Sequence, residues 1–388
     1  MDISNKTEKV ITFIRDWYQE PSAFIPIHRP LFAQKEKEYL ANAIDSGWVS
    51  AQGDFLDKAE RYLAEYTGAK HCVLTNSGTS ALHIGLELAD VQPDTDVITQ
   101  SLTFVATANA ISYLNAHPIF VDVEMDTLGM SPESLLEFLE TNVQITEEGA
   151  VNKISGRRIS ACVPMHSLGF PCRIDRIGAI CREYHIPLVE DAAEALGTVY
   201  RNKYVGTFGQ TGIYSFNGNK TVTSGGGGAI VTDDDQIAAK ARHIITTAKQ
   251  KDSWEYIHDQ RGYNFRMPNL NAALLLAQLE SLDSFLEEKR LLAQSYSRLC
   301  DEVDLNFIHE PRGSRSNYWL NAILLDDYEE RQQFLKDTND QGVMTRPIWK
   351  LMTDLPMYKN CQRSSLSNSM ELVSRLVNLP SSVRAVKD

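Results

Sequence analysis

The sequence predicts an α/β protein with a mostly parallel seven-stranded sheet, helices on both faces of that sheet, and a smaller C-terminal α+β domain. Three observations lead to this fold class. At 388 residues the chain is long enough for two domains. From about Lys70 onward, short apolar segments alternate with helical patterns. These segments are continuously apolar, which is typical of parallel strands covered on both faces.

The predicted strands and the helices between them follow one another along the chain. The apolar segments that predict strands are His71–Leu74, Val97–Thr99, Pro118–Val123, Ile159–Pro164, Pro187–Val189, Gly212–Phe216 and Ala229–Thr232. The helical patterns between them are Ser80–Leu88, Ala106–Leu114, Pro132–Thr141 and Ile174–Tyr184. Sheets of this kind bind ligands at the carboxyl ends of their strands. We therefore expect the functional site at that edge.

The segments outside this alternation predict an N-terminal arm and a second domain. A short amphipathic helix at Val10–Tyr18 precedes an extended arm at Phe24–Pro30. Further helices are predicted at Gln236–Ala248, as one or two long helices within Asn269–Leu299, and at Glu329–Asn339 and Met370–Val377. Further strands are predicted at Trp319–Leu325 and Val343–Ile348, and the polar stretch Asn142–Gly156 predicts an irregular surface insertion. The expected division is residues 1–30 for the helix and arm, 31–265 for a large domain and 266–388 for a small domain.

Composition and charge argue against several classes of function. The formal net charge of -13 disfavours a nucleic-acid-binding face, which needs clustered lysine and arginine. The six cysteines are scattered without a Cys-x-x-Cys pair, so we expect neither a metal site nor a disulfide framework. No apolar run approaches the ~18–20 residues of a membrane span, and no secretory signal is recognisable. We therefore expect a cytoplasmic protein with no membrane or nucleic-acid partner.

Lys220 and Asp191 give the strongest chemical indication. Lys220 follows a predicted strand and precedes a run of four glycines, and Asp191 comes just after the strand that ends at Val189. A lysine amine and a carboxylate at the ends of strands are what an enzyme needs to hold pyridoxal phosphate. The amine forms a Schiff base with the aldehyde, and the carboxylate keeps the pyridinium nitrogen protonated. Taken singly, the two residues also fit an exposed loop lysine and a helix-capping aspartate.

Two neighbouring segments extend this candidate cofactor site. Ser77, Gly78 and Thr79 come just before the predicted helix Ser80–Leu88, and a helix N-terminus suits a phosphate, although the same residues also suit a simple N-cap. Ser215, at the end of the strand before Lys220, is placed to donate to the same phosphate. The glycine run fits neither a dinucleotide-binding motif nor a P-loop.

The carboxylates around Asp191 divide between the two sides of its strand. Glu190 and Asp191 are neighbours, so their side chains leave the strand in opposite directions and only one of them faces the crevice. We assign Asp191 to the pyridinium nitrogen, and Glu194 to a place beside it, near the cofactor's ring oxygen.

Candidate substrate contacts are less specific. His166 ends a predicted strand, where it either faces the crevice or bonds to the backbone. The other candidates are His28 in the N-terminal arm and the basic residues Arg266, Arg346 and Lys350, which suit a diphosphate or a sugar.

Taken together, these ordered motifs resemble one enzyme family. The matching segments are Gly47-Trp48-Val49-Ser50, residues 76–82, 103–109, 190–194 and 215–220, and Gly262-Tyr263-Asn264-Phe265-Arg266-Met267. The chain resembles the DegT/DnrJ/EryC1/StrS family of sugar-nucleotide aminotransferases, pyridoxal phosphate enzymes of fold type I, from about Phe24 to the C-terminus.

The resemblance implies a role for each matching residue. Lys220 would bind the cofactor aldehyde, Asp191 would pair with its ring nitrogen, and Phe104 would stack on its ring. The phosphate ligands would be Gly78, Thr79 and Ser215. Asn264 would reach the cofactor phosphate of the partner subunit, which implies a homodimer with shared active sites.

A narrower likeness bears on the substrate. Four segments are similar to those of a narrower branch of the family, which acts in legionaminic acid and bacillosamine synthesis. These segments are the arm that contains His28 and residues 215–220, 345–349 and 379–382. That branch implies transfer of an amino group from glutamate to C4 of a UDP-linked 4-keto-6-deoxy-N-acetylhexosamine. A GDP-linked ketohexose leading to perosamine, amination at C3, and a pyridoxal phosphate-binding sensor without turnover remain alternatives. Lys220 argues against the dehydratases of the family, which have histidine at that position.

Overall fold

The computed structural model describes residues 2–147 and 149–384 and has a seven-stranded central sheet. The strands of the described chain are β1 (His71–Thr75), β2 (Asp96–Gln100), β3 (His117–Val121), β4 (Val143–Thr146), β5 (Gly149–Asn152), β6 (Ile159–Val163), β7 (Val189–Asp191), β8 (Val199–Tyr200), β9 (Lys203–Tyr204), β10 (Thr211–Ser215), β11 (Gly228–Thr232), β12 (Asn306–Phe307), β13 (Ser314–Arg315), β14 (Asn321–Leu324), β15 (Arg346–Pro347) and β16 (Leu376–Leu379).

The helices pack on the central sheet and around a second, smaller sheet. In the described chain they are α1 (Ile3–Tyr18), α2 (Gln34–Asp45), α3 (Asp54–Thr67), α4 (Gly78–Leu88), α5 (Val105–Tyr113), α6 (Pro132–Asn142), α7 (Ile174–Glu183), α8 (Asp235–Ile244), α9 (Asn269–Leu279), α10 (Leu282–Val303), α11 (Tyr328–Asp340) and α12 (Ser367–Arg375).

The central sheet has the strand order β1-β11-β10-β7-β6-β2-β3. Two parallel bridges, Cys162 to Leu188 and Met165 to Asp191, join its two halves. Only β11 runs antiparallel to its neighbours β1 and β10, while the pairs β10–β7, β2–β6 and β2–β3 are parallel. The predicted mostly parallel seven-stranded sheet is therefore confirmed, and the carboxyl ends of six strands lie at one edge.

Alternate residues of each strand enter separate hydrophobic clusters on the two faces. Val73 packs with α4, α5 and α8, whereas its neighbours Cys72 and Leu74 pack with α3, α6, α7 and α9. Ile230 and Val231 are divided in the same way. Burial on both faces explains why the strands lack a polar side and read as continuous apolar runs.

A second core surrounds the antiparallel sheet β12-β14-β16-β15. Helix α1 packs into this core through Val10, Ile11 and Ile14, and it contacts α10 and α11. Helix α9 instead packs against α2 and α3, on the central sheet. The division at residues 30 and 265 stays a prediction, and residues on both sides of position 265 contribute to the core of the large sheet.

Several predicted elements differ from the observed ones. Residues 142–156, predicted to be irregular, contain the antiparallel hairpin of β4 and β5, in which Val143 and Ala150 are buried and residues 144–146 are exposed. The predicted helix Met370–Val377 ends at Arg375, since Leu376–Leu379 pairs with β14 as β16. The segment within Asn269–Leu299 forms two helices that meet between Leu279 and Leu282. Helices α2 and α3 were not predicted, although Leu56, Ala59 and Leu63 of α3 recur at helical spacing.

The described residues contain neither a candidate membrane span nor a candidate metal cluster. Within residues 2–147 and 149–384, no helix combines the length and hydrophobicity needed to cross a bilayer. Across the same residues, no three or more His, Cys, Asp or Glu side chains are grouped so that they could hold a metal ion.

Candidate active site

A cavity of about 230 Å³ opens at the carboxyl edge of the central sheet. Strand β7 ends there at Asp191, β10 ends there at Ser215, and α4 begins there at Gly78. The predicted residues that line it are Ser77, Gly78, Thr79, Phe104, Asp191, Glu194, Ser215 and Lys220. The fold thus brings together residues that are up to 143 positions apart (Lys220 − Ser77 = 143) in the sequence.

Lys220 reaches the cavity from the loop between β10 and β11. Its backbone N–H donates to the Asn217 carbonyl at 3.0 Å, which closes a turn and directs the side chain inward. The Nζ atom lies 3.2 Å from Glu194 Oε1 and 4.1 Å from the centre of the Trp319 ring. The amine is therefore held between a carboxylate and an aromatic face.

Asp191 lies at the end of β7 and is almost fully buried. Thr107 Oγ1–H donates to its Oδ2 at 2.7 Å, and the Ala193 N–H donates to its Oδ1 at 3.1 Å. Burial raises the pKa of Asp191, while these two donors and the charge of Lys220 act to lower it. Donors that favour the charged form allow a buried carboxylate to remain an anion.

The neighbouring Glu190 points away from the cavity, as alternation along a strand requires. Its carboxylate accepts hydrogen bonds from the backbone N–H groups of Gly206, Phe208 and Gly209 and from His166 Nε2. Glu190 therefore stabilises the loop that enters β10, and Asp191 is the one of the two that faces the crevice.

Glu194 is the second carboxylate of the cavity. The Leu168 N–H donates to its Oε2 at 2.9 Å, which leaves Oε1 facing Lys220. Burial raises the pKa of Glu194 to about 7, and the charge of Lys220 keeps it from rising further. This carboxyl group is thus poised to exchange a proton near neutral pH.

The opposite end of the cavity is formed by the N-terminus of α4. Ser77 Oγ accepts the Ser80 N–H at 3.0 Å, while Gly78 and Thr79 supply helix N–H groups that have no acceptor within the helix. A Cβ at Gly78 would lie 2.8 Å from the Ser215 Cβ, so only glycine lets Ser215 approach this closely. The result is a set of N–H and O–H donors at the positive end of a helix dipole.

Phe104 closes one side of the cavity from the N-cap of α5. Its side chain is 47% exposed, so part of the ring remains available for stacking. The Trp349 ring lies 6.2 Å from the Phe104 ring in an edge-on arrangement, which brings residues 345–350 to the mouth of the cavity.

The candidate substrate residues are more dispersed. His28 is buried, neither of its ring nitrogens has a hydrogen-bond partner among the described residues, and burial lowers its pKa well below the usual value. The charges of Lys289 and Lys220 lower the pKa of His28 further. Arg266 lies beside Asp57 at 4.0 Å, and Arg346 and Lys350 are exposed. None of these four lines the cavity.

The structure corrects the assignment of His166 to the substrate. Its side chain is fully buried behind the cavity wall. The Cys172 N–H donates to Nδ1 at 3.2 Å, so the ring proton is on Nε2, which donates to Glu190 at 3.1 Å. His166 is therefore a structural residue at the strand end, bonded partly to the backbone.

A comparison with known families now decides the identity of the chain. The sequence model of the DegT/DnrJ/EryC1/StrS aminotransferase family matches residues 30–388. The chain belongs to this family. It is an aminotransferase that depends on pyridoxal phosphate, and its central sheet is that of fold type I, as the sequence motifs predicted.

Relatives and solved structures of DegT/DnrJ/EryC1/StrS type resemble the chain over most of its length. EpsN of Bacillus subtilis, whose name describes a pyridoxal phosphate-dependent aminotransferase, is 34% identical over 85% of this chain and 82% of EpsN. GDP-perosamine synthase of Escherichia coli O157:H7 is 34% identical over 92% of this chain and 93% of that protein. The crystal structure of a DegT DnrJ EryC1 StrS aminotransferase from Brucella abortus is 27% identical, covers 90% of both chains and superposes with a TM-score of 0.81.

The cavity of this DegT/DnrJ/EryC1/StrS member fits pyridoxal phosphate on its own geometry. The donors at the N-terminus of α4 suit a phosphate dianion, and the glycine at position 78 leaves space for Ser215 beside it. Asp191 accepts two hydrogen bonds that favour its anionic form, and a carboxylate anion suits a protonated ring nitrogen. The Lys220 amine lies in the same cavity, available to an aldehyde.

Two residues near the cofactor cavity were not predicted to have a role. Thr107 lies one helical turn after Phe104, and this spacing could have indicated that it faces the same site. Trp319 donates from Nε1 to the Asn219 carbonyl at 2.7 Å, 100 positions away, so no local pattern could reveal it. Thr107 contacts Asp191, and Trp319 contacts the Lys220 amine.

Proposed function

We propose that this aminotransferase converts a nucleotide-linked 4-keto-6-deoxy sugar into the corresponding 4-amino sugar, with glutamate as the amino donor. The substrate that the sequence motifs favour is UDP-4-keto-6-deoxy-N-acetylglucosamine, used for a bacterial surface glycan of the legionaminic acid or bacillosamine type. The proposal rests on one observation: Lys220, Glu194 and Asp191 line the same cavity in a member of this family.

The proposed roles in the cofactor site follow from the contacts. Pyridoxal phosphate, when bound, supplies an aldehyde and an electron-accepting ring. Lys220 would hold the aldehyde carbon and, once displaced by an amino substrate, act as the base that moves a proton. Asp191 would keep the ring nitrogen protonated, and Phe104 would cover one ring face.

The proposed phosphate ligands are the donors at the start of α4. Gly78 and Thr79 would offer backbone N–H groups, and Ser77 and Ser215 would offer hydroxyl groups. The negative charge of the phosphate matches the positive end of the helix dipole. This contact would fix the cofactor at the end of the cavity opposite Asp191.

A homodimer with shared active sites belongs to the same proposal. Asn264 is exposed and does not line the cavity of its own chain, which suits a contact with a partner's cofactor phosphate. The loop before it carries Trp254 and Tyr256, which are 83% and 80% exposed. Large aromatic side chains with this exposure are typical of an interaction surface.

The second candidate substrate is a GDP-linked 4-keto-6-deoxymannose. It is favoured by the similarity to GDP-perosamine synthase, which is 34% identical over 92% of this chain. For either nucleotide, the proposed contacts to diphosphate or sugar are His28, Arg266, Arg346 and Lys350. Arg266 and the exposed Arg346 and Lys350 provide positive charge outside the cavity, and Trp349 brings Lys350 to its mouth.

A panel of UDP- and GDP-linked 4-keto sugars, each with glutamate, tests the proposal. We expect a UDP sugar to gain one amino group at C4, established by mass and NMR, and 2-oxoglutarate to form in equal amount. A product only from the GDP sugar would replace the first substrate with the second. Amination at C3 would contradict the positional assignment, and absence of any product with bound cofactor would support the sensor alternative. Size-exclusion chromatography with light scattering tests the dimer.

A further inference from the structure

Asp191 is connected to α5 by a short chain of buried hydroxyl groups. Thr107 Oγ1 lies 2.7 Å from Asp191 Oδ2, and Thr103 Oγ1 lies 2.9 Å from Thr107 Oγ1. All three side chains are at most 2% exposed. Water therefore cannot replace a hydroxyl that is removed from this chain without a rearrangement.

The direction of these hydrogen bonds follows from the number of protons. A threonine hydroxyl has one proton, and an ionised carboxylate can only accept. Thr107 must therefore donate to Asp191, so its Oγ1 accepts in the bond with Thr103. The other acceptors near Thr103 Oγ1 are the thioether sulfur of Met165 at 2.9 Å, a weak acceptor, and the Phe104 carbonyl at 3.4 Å. A hydroxyl that accepts one bond is a stronger donor in the next, so Thr103 reinforces the bond from Thr107 to the carboxylate.

The hydroxyl chain acts against strong desolvation. Burial favours the neutral form of Asp191, and the nearby Glu194 adds negative charge. The charge of the Lys220 amine favours the charged form. The Lys220 amine, however, can lose its charge when it reacts with an aldehyde, whereas the Thr107 hydroxyl remains a donor throughout.

We propose that Thr107 is a positioning residue that keeps Asp191 ionised and oriented toward the cofactor ring nitrogen. This inference rests on the proposed role of Asp191. Phe104 is the N-cap of the same helix. The first turn of α5 would therefore position both the aromatic ring that stacks on the cofactor and, through Thr107, the carboxylate that pairs with the ring nitrogen. Thr107 does not itself line the cofactor cavity, and its link to the cavity is the hydrogen bond to Asp191.

The variants T107V and T107S separate the hydroxyl from the shape of the side chain. Valine has nearly the volume of threonine but no hydroxyl, and serine keeps the hydroxyl. Cofactor-free protein would be titrated with pyridoxal phosphate between pH 6 and pH 8.5, following protein fluorescence and the visible absorbance of the bound cofactor. We expect T107V to bind about tenfold more weakly at pH 7, since a hydrogen bond to a charged group is lost. The T107S variant should remain within about twofold of the wild type.

The pH profile distinguishes positioning from simple structural damage. Loss of the donor favours protonated Asp191, so the defect of T107V should grow as the pH falls and shrink toward pH 8.5. Equal affinity and an unchanged spectrum in T107V, or a defect that is the same at every pH, would overturn the inference. T107A replaces T107V if the valine variant does not fold.

The D191N variant distinguishes a failure of the proposed role of Asp191 from a failure of the proposed role of Thr107. If D191N binds the cofactor and gives the same spectrum as the wild type, the proposed role of Asp191 is wrong. If D191N is impaired while T107V is normal, only the role of Thr107 is wrong.

Discussion

The Nζ atom of Lys220 lies 3.2 Å from Oε1 of Glu194, and the two side chains are only 12% and 1% exposed. In so dry a site an ion pair gains strength from the low dielectric but also bears the cost of removing both charges from water. The protonation of Glu194 therefore depends on its burial in the folded chain and on the charge of the Lys220 amine.

The first prediction concerns the stability of cofactor-free E194Q. Glu194 has a pKa of about 7 in the folded chain against 4.5 for an unperturbed glutamate, so the folded state binds more protons between these values. The unfolding free energy of the wild type must fall as the pH rises through this window. Relative to E194Q, we expect the wild type to lose about 2–3 kcal/mol between pH 5 and pH 8, measured by urea unfolding.

Glu302 provides the matched control, because it is exposed on α10. The E302Q variant should follow the wild type at every pH. A difference between wild type and E194Q that is constant with pH, or that has the opposite slope, would show that Glu194 titrates normally in the fold.

The second prediction concerns covalent attachment at Lys220. The K220A variant should show no visible cofactor absorbance and no mass increase at that position after incubation with pyridoxal phosphate and borohydride reduction. We expect this because Lys220 places its amine in the cavity, beside Glu194. The K240A variant, with a substitution on the exposed face of α8, should be trapped like the wild type. Trapping of K220A at another lysine would contradict the assignment.

The third prediction uses two glycines of the same run. A Cβ at Gly228 would lie 2.5 Å from the Ser77 carbonyl oxygen and 2.7 Å from the Gly78 nitrogen, whereas one at Gly226 has no neighbour closer than 3.8 Å. We expect G228A to lose about 1–3 kcal/mol of unfolding free energy, because backbone atoms must move. It should also bind pyridoxal phosphate more weakly, since the start of α4 shifts.

The G226A variant is the control for stability. Its melting temperature should stay close to that of the wild type. If G228A melted at the wild-type temperature and bound the cofactor normally, the close approach of β11 to the start of α4 would not be a constraint on the site.

The fourth prediction concerns Asp122, which joins β3 to α12. Its carboxylate accepts the N–H groups of Asn368 and Ser369 at 2.9 and 2.8 Å and the Ser369 hydroxyl at 2.5 Å. These donors come from the first turn of α12, where a negative charge is favourable. We expect D122N to lose about 1–3 kcal/mol of unfolding free energy, because an amide has only one accepting oxygen.

Asp301, exposed on α10, is the comparison for Asp122. The D301N variant should unfold within about 0.5 kcal/mol of the wild type in urea. Equal stability of D122N and D301N would show that the contact between β3 and α12 contributes nothing measurable.

The order of the central elements was predictable from local patterns. A strand buried on both faces needs apolar residues at consecutive positions, and Ile159–Val163 and Gly228–Thr232 satisfy this without reference to the rest of the chain. The hairpin of β4 and β5 was not predictable in this way, because each strand has only four residues and mixes apolar with polar side chains. Local composition reports burial, and it says little about pairing in short strands that are only partly buried.

The candidate site shows the same division. Lys220, Asp191 and the segment Ser77–Thr79 could be recognised because each lies at a junction between a strand and a loop or helix, which is where such sheets bind ligands. Which of Glu190 and Asp191 faces the cavity depended on the orientation of β7. The burial of His166 behind that strand likewise depended on the packing of Cys172 and Glu190 around it.

By itself, the sequence determined the α/β class, the family motifs and the chemical groups available at the carboxyl edge, because these depend on short-range spacing. Only the tertiary structure decided that Thr107 donates to Asp191 and that Trp319 covers the Lys220 amine. Those contacts join residues 84 and 99 positions apart (191 − 107 and 319 − 220), so they exist only once separate helices, strands and loops have packed around one cavity.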